Sequence, residues 1–230
     1  LSLESYRWLV VVGVIPAVLA VVVLQVFVQE KKHSGADSPQ RSFPLSGLKG
    51  GFDTRFKVFL AIIAMFTLGN SSDFFVILRA QNLEVPLIQV VMMLALFNAT
   101  YAVTALPMGI LSDRVGRKRV ITLGWLIYAL VYLGFALASN LWQMWLLFAG
   151  YGVYYGMVEG VARAFVADLV TEDRRGTAYG LFNGVVSLAL LPASLLAGWL
   201  WDAISPAAPF YFGAGLAFVA MLGMMALIKE

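Results

Sequence analysis

Three side chains that could handle charge lie at helical spacing within one apolar stretch. Tyr155, Glu159 and Arg163 are four residues apart, which places them on one face of a helix. An ionisable residue that lies well inside an apolar, membrane-crossing stretch is a candidate functional residue. We consider three roles for this row. It could be a gating ion pair that also engages the loop around Asp113, a structural pair that satisfies itself, or a proton site at Glu159.

A second polar group interrupts an earlier apolar stretch. Asn70, Ser71, Ser72 and Asp73 are consecutive, and Arg79 follows six residues later. At that spacing Asp73 and Arg79 do not share a helix face. We expect Asp73 to line a cavity, where its carboxylate hydrogen-bonds a solute or takes up a proton. A break of the helix near the outer interface is the alternative.

Three further polar side chains occupy mid-helix positions, namely Asn98, Thr100 and Asn183. Amides and hydroxyls at such positions are more often hydrogen-bonded between neighbouring helices than exposed to a solute. The predicted solute-binding or proton-binding residues are Asn70, Asp73, Asn98, Glu159 and Asn183.

A third feature is a short basic loop over residues 109–119, which reads GILSDRVGRKR. Its two glycines permit a tight turn. Asp113 ends one helix beside a cluster of cations, where its carboxylate can pair with an arginine or accept from a helix N-terminus. A simple cationic anchor would not need this spacing. The candidate gating or loop-signature residues are Gly109, Asp113, Arg114, Gly116, Arg117, Lys118 and Arg163.

The composition indicates which elements must position these residues. Hydrophobic residues make up 61% of the chain and charged residues 13%, against about 45–50% and 25% in soluble domains. A membrane-spanning helix needs about 20 mostly apolar residues. The runs that qualify are 6–28, 58–80, 86–112, 119–138, 142–168, 176–200 and 209–228. We therefore predict an all-α, polytopic bundle of membrane helices.

The basic residues are distributed unevenly between the breaks that separate these runs. If every run crosses the bilayer, all lysines and arginines except Arg7 and Arg79 fall on one side. Basic residues accumulate in cytoplasmic loops. The pattern predicts that the break over 29–57 and the C-terminus are cytoplasmic.

Glycines recur at every fourth position in two of the runs. This spacing lets two helix backbones approach closely within lipid, so it predicts two helix-packing faces. The glycines are Gly152, Gly156 and Gly160 in one run and Gly176, Gly180 and Gly184 in the other.

The loop over 109–119 resembles the signature of the major facilitator superfamily, G-x-L-[SA]-D-R-x-G-R-[KR]. Residues 168–183 (DLVTEDRRGTAYGLFN) and 195–202 (LLAGWLWD) are similar to the beginning and end of that family's eleventh span. The resemblance implies that residues 1–28 are the sixth span, 29–57 the central cytoplasmic linker and 58–230 the C-terminal six-helix bundle. Since the chain starts at Leu1, we expect it to be the C-terminal part of a longer protein whose N-terminal half is missing.

The same resemblance implies a function in the cell membrane. Members of the family move a small solute by alternating access between two six-helix bundles. We expect a secondary active transporter, with proton-coupled efflux as one option. A seven-helix receptor or sensor and a membrane scaffold that no longer transports are the alternatives, since fold does not fix function.

The sequence lacks the residues that common metal, retinal and ATP sites require. The chain has no cysteine, and its one histidine, His33, lies in a polar stretch, which argues against cysteine-based or histidine-based metal sites. No lysine lies mid-span to hold retinal, and no phosphate-binding Gly-x4-Gly-Lys-Ser/Thr loop occurs. We therefore expect no enzyme activity, no cofactor and no nucleic-acid partner. The expected partners are a small solute, the lipid bilayer and the missing N-terminal half.

Overall fold

The computed structural model describes residues 51–70 and 72–228, and within them the chain is helical with no strand. The elements are α1 (Thr54–Gly69), α2 (Phe74–Asn82), α3 (Leu87–Val115), α4 (Arg117–Leu137), α5 (Leu141–Asp168), a 3₁₀ turn (Glu172–Arg174), α6 (Arg175–Ala203) and α7 (Ala208–Leu227). The predicted run 6–28 and residues 29–50 of the predicted linker lie outside the described residues.

Five of the predicted apolar runs coincide with single helices, α3 to α7, whose ends lie within three residues of the predicted ends. The run 58–80 differs, because the structure divides it into α1 and α2. Asn70 ends α1 with non-helical backbone angles, and α2 begins after Asp73. The polar residues between them are where the single predicted helix breaks.

Five segments of the described part are long and apolar enough to cross a membrane, with α1 and α2 counted together. They are Thr54–Asn82, Leu87–Val115, Arg117–Leu137, Glu172–Ala203 and Ala208–Leu227. The helix α5 has 28 residues and is long enough as well, but it carries glutamine, tyrosine, glutamate and arginine. Polar residues in membrane helices normally face the bundle interior, and α5 is packed against other helices along much of its length. The predicted all-α membrane bundle is confirmed.

The helix α5 packs along α3 and α4, α4 also packs on α7, and α1 packs between α6 and α7. The contact between α3 and α5 depends on small residues. A Cβ atom on Gly156 would lie 2.7 Å from the Cβ of Thr104 and 2.9 Å from the carbonyl oxygen of Tyr101. Gly152 meets α3 in the same way, at Phe97.

The glycine prediction is only partly met within the described bundle. A Cβ atom added to any of four of the six glycines would contact nothing within 4 Å, and these are Gly160, Gly176, Gly180 and Gly184. Spacing alone therefore predicted a packing face on α5 correctly, without indicating that α3 is its partner. The second predicted face, on α6, makes no such close contact within the described bundle.

The two basic segments, at the junction of α3 with α4 and between α5 and α6, lie at the same end of the bundle. Contacts at this end join Arg117 to Asp168 at 2.7 Å, Lys118 to the Met225 carbonyl at 3.4 Å, and Arg174 to the Gly51 carbonyl. The start of α1, the end of α7 and both basic breaks are thus at the same end.

Candidate functional site

A cavity of about 230 Å³ lies among α1, α4, α5 and α6. Its walls are mostly apolar and aromatic, including Phe66 and Trp125, whose rings stack at 5.0 Å. Three predicted solute-binding residues reach it from three different helices, namely Asn70, Glu159 and Asn183. Tyr155 and Arg163 complete its polar lining. A mostly apolar pocket with a few convergent polar groups is typical of small-molecule sites.

Glu159 is the carboxylate that lines this cavity. The helix that carries it, α5, starts at a capping box in which Asn140 and Gln143 satisfy each other's backbone N–H groups. The Tyr101 hydroxyl donates to Oε2 of Glu159 at 2.7 Å, and the Arg163 guanidinium donates to Oε1 at 3.1 Å. Both carboxylate oxygens therefore have a partner, although the Glu159 side chain is 37% exposed. A proton or a cationic solute group could compete with Arg163 for this carboxylate.

Asp73 is held by two tyrosines of α5. The Tyr151 hydroxyl donates to Oδ1 of Asp73 at 2.7 Å, and the Tyr155 hydroxyl lies 3.2 Å from the same oxygen. The Asp73 side chain makes no capping bond to α2. Because Tyr155 also lines the cavity, it links the Asp73 cluster to the wall that carries Glu159.

The three amide candidates have different surroundings. The Tyr128 hydroxyl lies 3.2 Å from Oδ1 of Asn70, which fixes the end of α1 against α4. Asn183 is exposed on the cavity wall. Asn98 donates to the Leu94 carbonyl of its own helix at 2.8 Å and does not line the cavity.

The segment 109–119, predicted as a basic loop, is helical except at Gly116, which alone separates α3 from α4. Its contacts are organised around Arg117. Gly116 joins the two helices with φ +99°, a backbone conformation that glycine adopts without a steric cost. Arg117 pairs with Asp113 at 3.3 Å and with Asp168 at 2.7 Å, and it donates to the Ala164 carbonyl. It therefore connects the ends of α3 and α5.

The remaining loop residues surround this connection. Ser112 donates to the Gly109 carbonyl at 2.7 Å, and Arg114 is exposed at the end of α3. Lys118 reaches the end of α7, as described above. We expected the Glu159–Arg163 pair to engage this loop. In the described residues Arg117 makes the contact with α5 instead, through Asp168 and the Ala164 carbonyl. Glu159 and Arg163 bond to each other nearer the middle of α5.

A family model described as the Major Facilitator Superfamily (MFS) matches residues 58–230. The match includes the basic loop, the cavity and α3 to α7 in full. The chain belongs to the Major Facilitator Superfamily. The resemblance inferred from the loop is thereby confirmed, and the MFS chain is a multi-pass membrane protein.

Named relatives agree with this assignment. The MFS chain is 45% identical to an uncharacterized MFS-type transporter of Methanocaldococcus jannaschii, over 72% of the chain and 43% of the relative. It is 31% identical to the class B tetracycline resistance protein of Escherichia coli, over 60% of the chain and 34% of the relative. It is 36% identical to the multidrug resistance protein MdtG of Dickeya zeae, over 58% and 33%. The chain spans less than half the length of each relative.

The sequence interpretation missed several residues that organise this MFS site. Tyr151 extends the row of Tyr155, Glu159 and Arg163 by one turn on the same face of α5, but the sequence did not indicate its contact with Asp73. Tyr101 is on α3, 58 residues before the glutamate that it contacts, and nothing in the sequence signals this pairing. Arg79 was noted only as a neighbour of Asp73, yet it is buried and bonded to the end of α4.

Proposed function

We propose that this chain forms one half of the translocation pathway of a secondary active transporter. The observation that carries the proposal is the position of Glu159. Its carboxylate is held by Tyr101 and Arg163 at the wall of an otherwise aromatic cavity. Ionisable residues within membrane bundles mark substrate or proton pathways. In the proposed cycle one proton is exchanged for one solute molecule, with Glu159 as the proton site and Asp73 as a second carboxylate candidate.

The solute we propose is a small amphipathic organic molecule, and a cationic one would suit the carboxylate best. The supporting features are the aromatic lining of the cavity and the two relatives named for tetracycline and multidrug resistance. A cavity of 230 Å³ is smaller than the roughly 300–1,000 Å³ of typical ligand sites. We therefore propose that a second, N-terminal bundle supplies the facing wall.

We also propose a plasma-membrane orientation with the linker and the C-terminus in the cytoplasm. The clustering of basic breaks at one end of the bundle supports it. The chain has no cysteine, so a cysteine introduced into it reports the side directly once any cysteine of the N-terminal half has been replaced. A membrane-impermeant maleimide should label Ser139→Cys, an exposed position between α4 and α5, on intact cells. It should label Ser46→Cys only after permeabilisation, and the reverse pattern would contradict the orientation.

Transport can be tested in liposomes that contain the intact transporter. Tetracycline and a fluorescent organic cation serve as probes, after a thermal-shift screen has shown which of them stabilises the protein. An acidic interior should drive the probe into the vesicles by exchange with protons. Since one pH unit is worth about 1.4 kcal/mol per proton, each unit should support up to roughly tenfold accumulation.

The same measurement separates the other functions that we considered. Accumulation with an acidic exterior only would indicate co-transport with protons rather than exchange. A protein that binds a probe but accumulates none under any gradient would be a scaffold or a sensor, and the transport proposal would fail. The family match over 58–230 gives the seven-helix receptor no support.

A further inference from the structure

A second, larger groove lies on the outer surface of the bundle between α4 and α7. It has a volume of about 710 Å³ and is open to the surroundings. Lys118, Arg119 and Thr122 line one end of it, and the rest is apolar. The apolar lining is Leu123, Leu126, Met221 and Met225. The groove contains none of the residues of the cavity around Glu159.

The basic end of the groove is at the level of the lipid headgroups. Lys118 and Arg119 are the second and third residues of α4, a membrane-crossing helix of 21 residues. At 1.5 Å per residue such a helix is about 31 Å long, close to the thickness of the hydrocarbon core. Residues at its first turn therefore lie at the interface, while Leu123 and Leu126 lie one to two turns deeper.

The groove has an apolar part and a basic end, as a binding site for a molecule with an apolar chain and an anionic head would have. Leu123 is 51% exposed and Met225 56% exposed, so the apolar part presents its side chains to the surrounding lipid. Among the residues that the structure describes, no carboxylate lines the groove. Lys118 is positioned by its 3.4 Å contact with the Met225 carbonyl, which brings its ammonium group to the place where α4 and α7 meet.

We propose that this groove is a binding site for one anionic phospholipid. The phosphate lies against Lys118 and Arg119, with the Thr122 hydroxyl beside it, and an acyl chain lies along Leu123, Leu126 and Met221. Basic pockets between membrane helices bind anionic headgroups in this way. Each cation near an anionic lipid surface is worth about 1 kcal/mol, or roughly fivefold in affinity. Two cations thus favour an anionic over a zwitterionic lipid by about twenty-five-fold.

The test is a lipid titration of the intact transporter, followed by native mass spectrometry. Dioleoyl phosphatidylglycerol is compared with dioleoyl phosphatidylcholine, because the two differ in the headgroup and share their acyl chains. Arg119→Gln should reduce the preference for phosphatidylglycerol about fivefold. Arg55→Gln is the matched control, since Arg55 is an exposed cation in the first turn of another spanning helix. It should leave the preference unchanged.

Filling the apolar part provides a second, independent test. Leu123→Trp should weaken the binding of both lipids, because it occupies the acyl-chain part and leaves the cations in place. Inorganic phosphate should not displace bound phosphatidylglycerol, because it lacks the chain. The proposal is overturned if the two lipids bind equally, if Arg119→Gln and Arg55→Gln have the same effect, or if the groove retains a second copy of the transporter instead of lipid.

Discussion

Glu159→Gln is expected to abolish proton-driven accumulation of the solute while the transporter still exchanges solute for solute. The glutamine keeps the size of the side chain and can still accept a hydrogen bond from Tyr101, but it cannot carry a proton. Accumulation should therefore fall from up to about tenfold per pH unit to the level of simple equilibration. Exchange of labelled for unlabelled solute should persist, because that process moves no net proton.

Two comparisons make this expectation specific. Glu172→Gln removes an equal charge from a side chain that is 87% exposed in the 3₁₀ turn, and it should leave accumulation intact. Exchanging the charges, Glu159→Arg combined with Arg163→Glu, should restore function if the two residues act only as an ion pair. It should not restore function if Glu159 is the proton site. Full accumulation in the single variant Glu159→Gln would reject Glu159 as that site.

Asp73 is the other candidate for the proposed proton site. Asp73→Asn keeps an oxygen for the Tyr151 hydroxyl, which lies 2.7 Å away, so the local structure should survive the substitution. Loss of accumulation in Asp73→Asn alone would move the proton site to the cluster at the start of α2. If neither Asp73→Asn nor Glu159→Gln changes accumulation, the proton hypothesis fails for both carboxylates.

The helices could be predicted from the sequence because lipid imposes a simple rule on them. Every backbone group must be satisfied within the bilayer, so long apolar runs become helices, and α3 to α7 begin and end where hydropathy changes. The division between α1 and α2 was harder to predict. Four consecutive polar residues indicate either a cavity wall or a break, and here Asn70 and Asp73 flank a break and also contact tyrosines of α4 and α5.

The contacts within the candidate site were predictable only between residues that share one helix, although Asn70, Glu159 and Asn183 were each predicted and line the cavity from different parts of the chain. Tyr155, Glu159 and Arg163 are neighbours on α5 because of the helical repeat, and the row was visible in the sequence. The partners Tyr101 and Tyr151 lie 58 and 78 residues from the carboxylates that they contact. Such pairings depend on which helices pack together. The contacts of Arg79 are even harder to predict from the sequence. Its partners on α4 are backbone carbonyls, and because every residue has one, no residue type indicates them.

Arg79→Leu is expected to be the most destabilising single substitution proposed for this bundle. The Arg79 side chain is buried and donates to the carbonyls of Phe135, Ala136 and Ala138 at 3.0, 3.2 and 3.0 Å. These carbonyls end α4, where the helix has no backbone donors of its own and where a positive charge is favoured. Each buried carbonyl without a donor costs about 1–3 kcal/mol, so the loss should be roughly 3 kcal/mol or more.

The measurement is thermal unfolding of the purified transporter in detergent. A loss of about 3 kcal/mol should lower the midpoint by roughly 3–6 °C, about half the shift of a 150–250-residue domain, because the intact transporter is about twice as long. Arg79→Lys should fall between wild type and Arg79→Leu, because an ammonium keeps the charge but cannot span three carbonyls as the guanidinium fork does. Arg55→Leu removes an exposed arginine and should change stability by less than about 0.5 kcal/mol. Equal midpoints for Arg79→Leu and Arg55→Leu would mean that the end of α4 is satisfied without Arg79. In that case this buried guanidinium would contribute nothing to stability beyond its own desolvation.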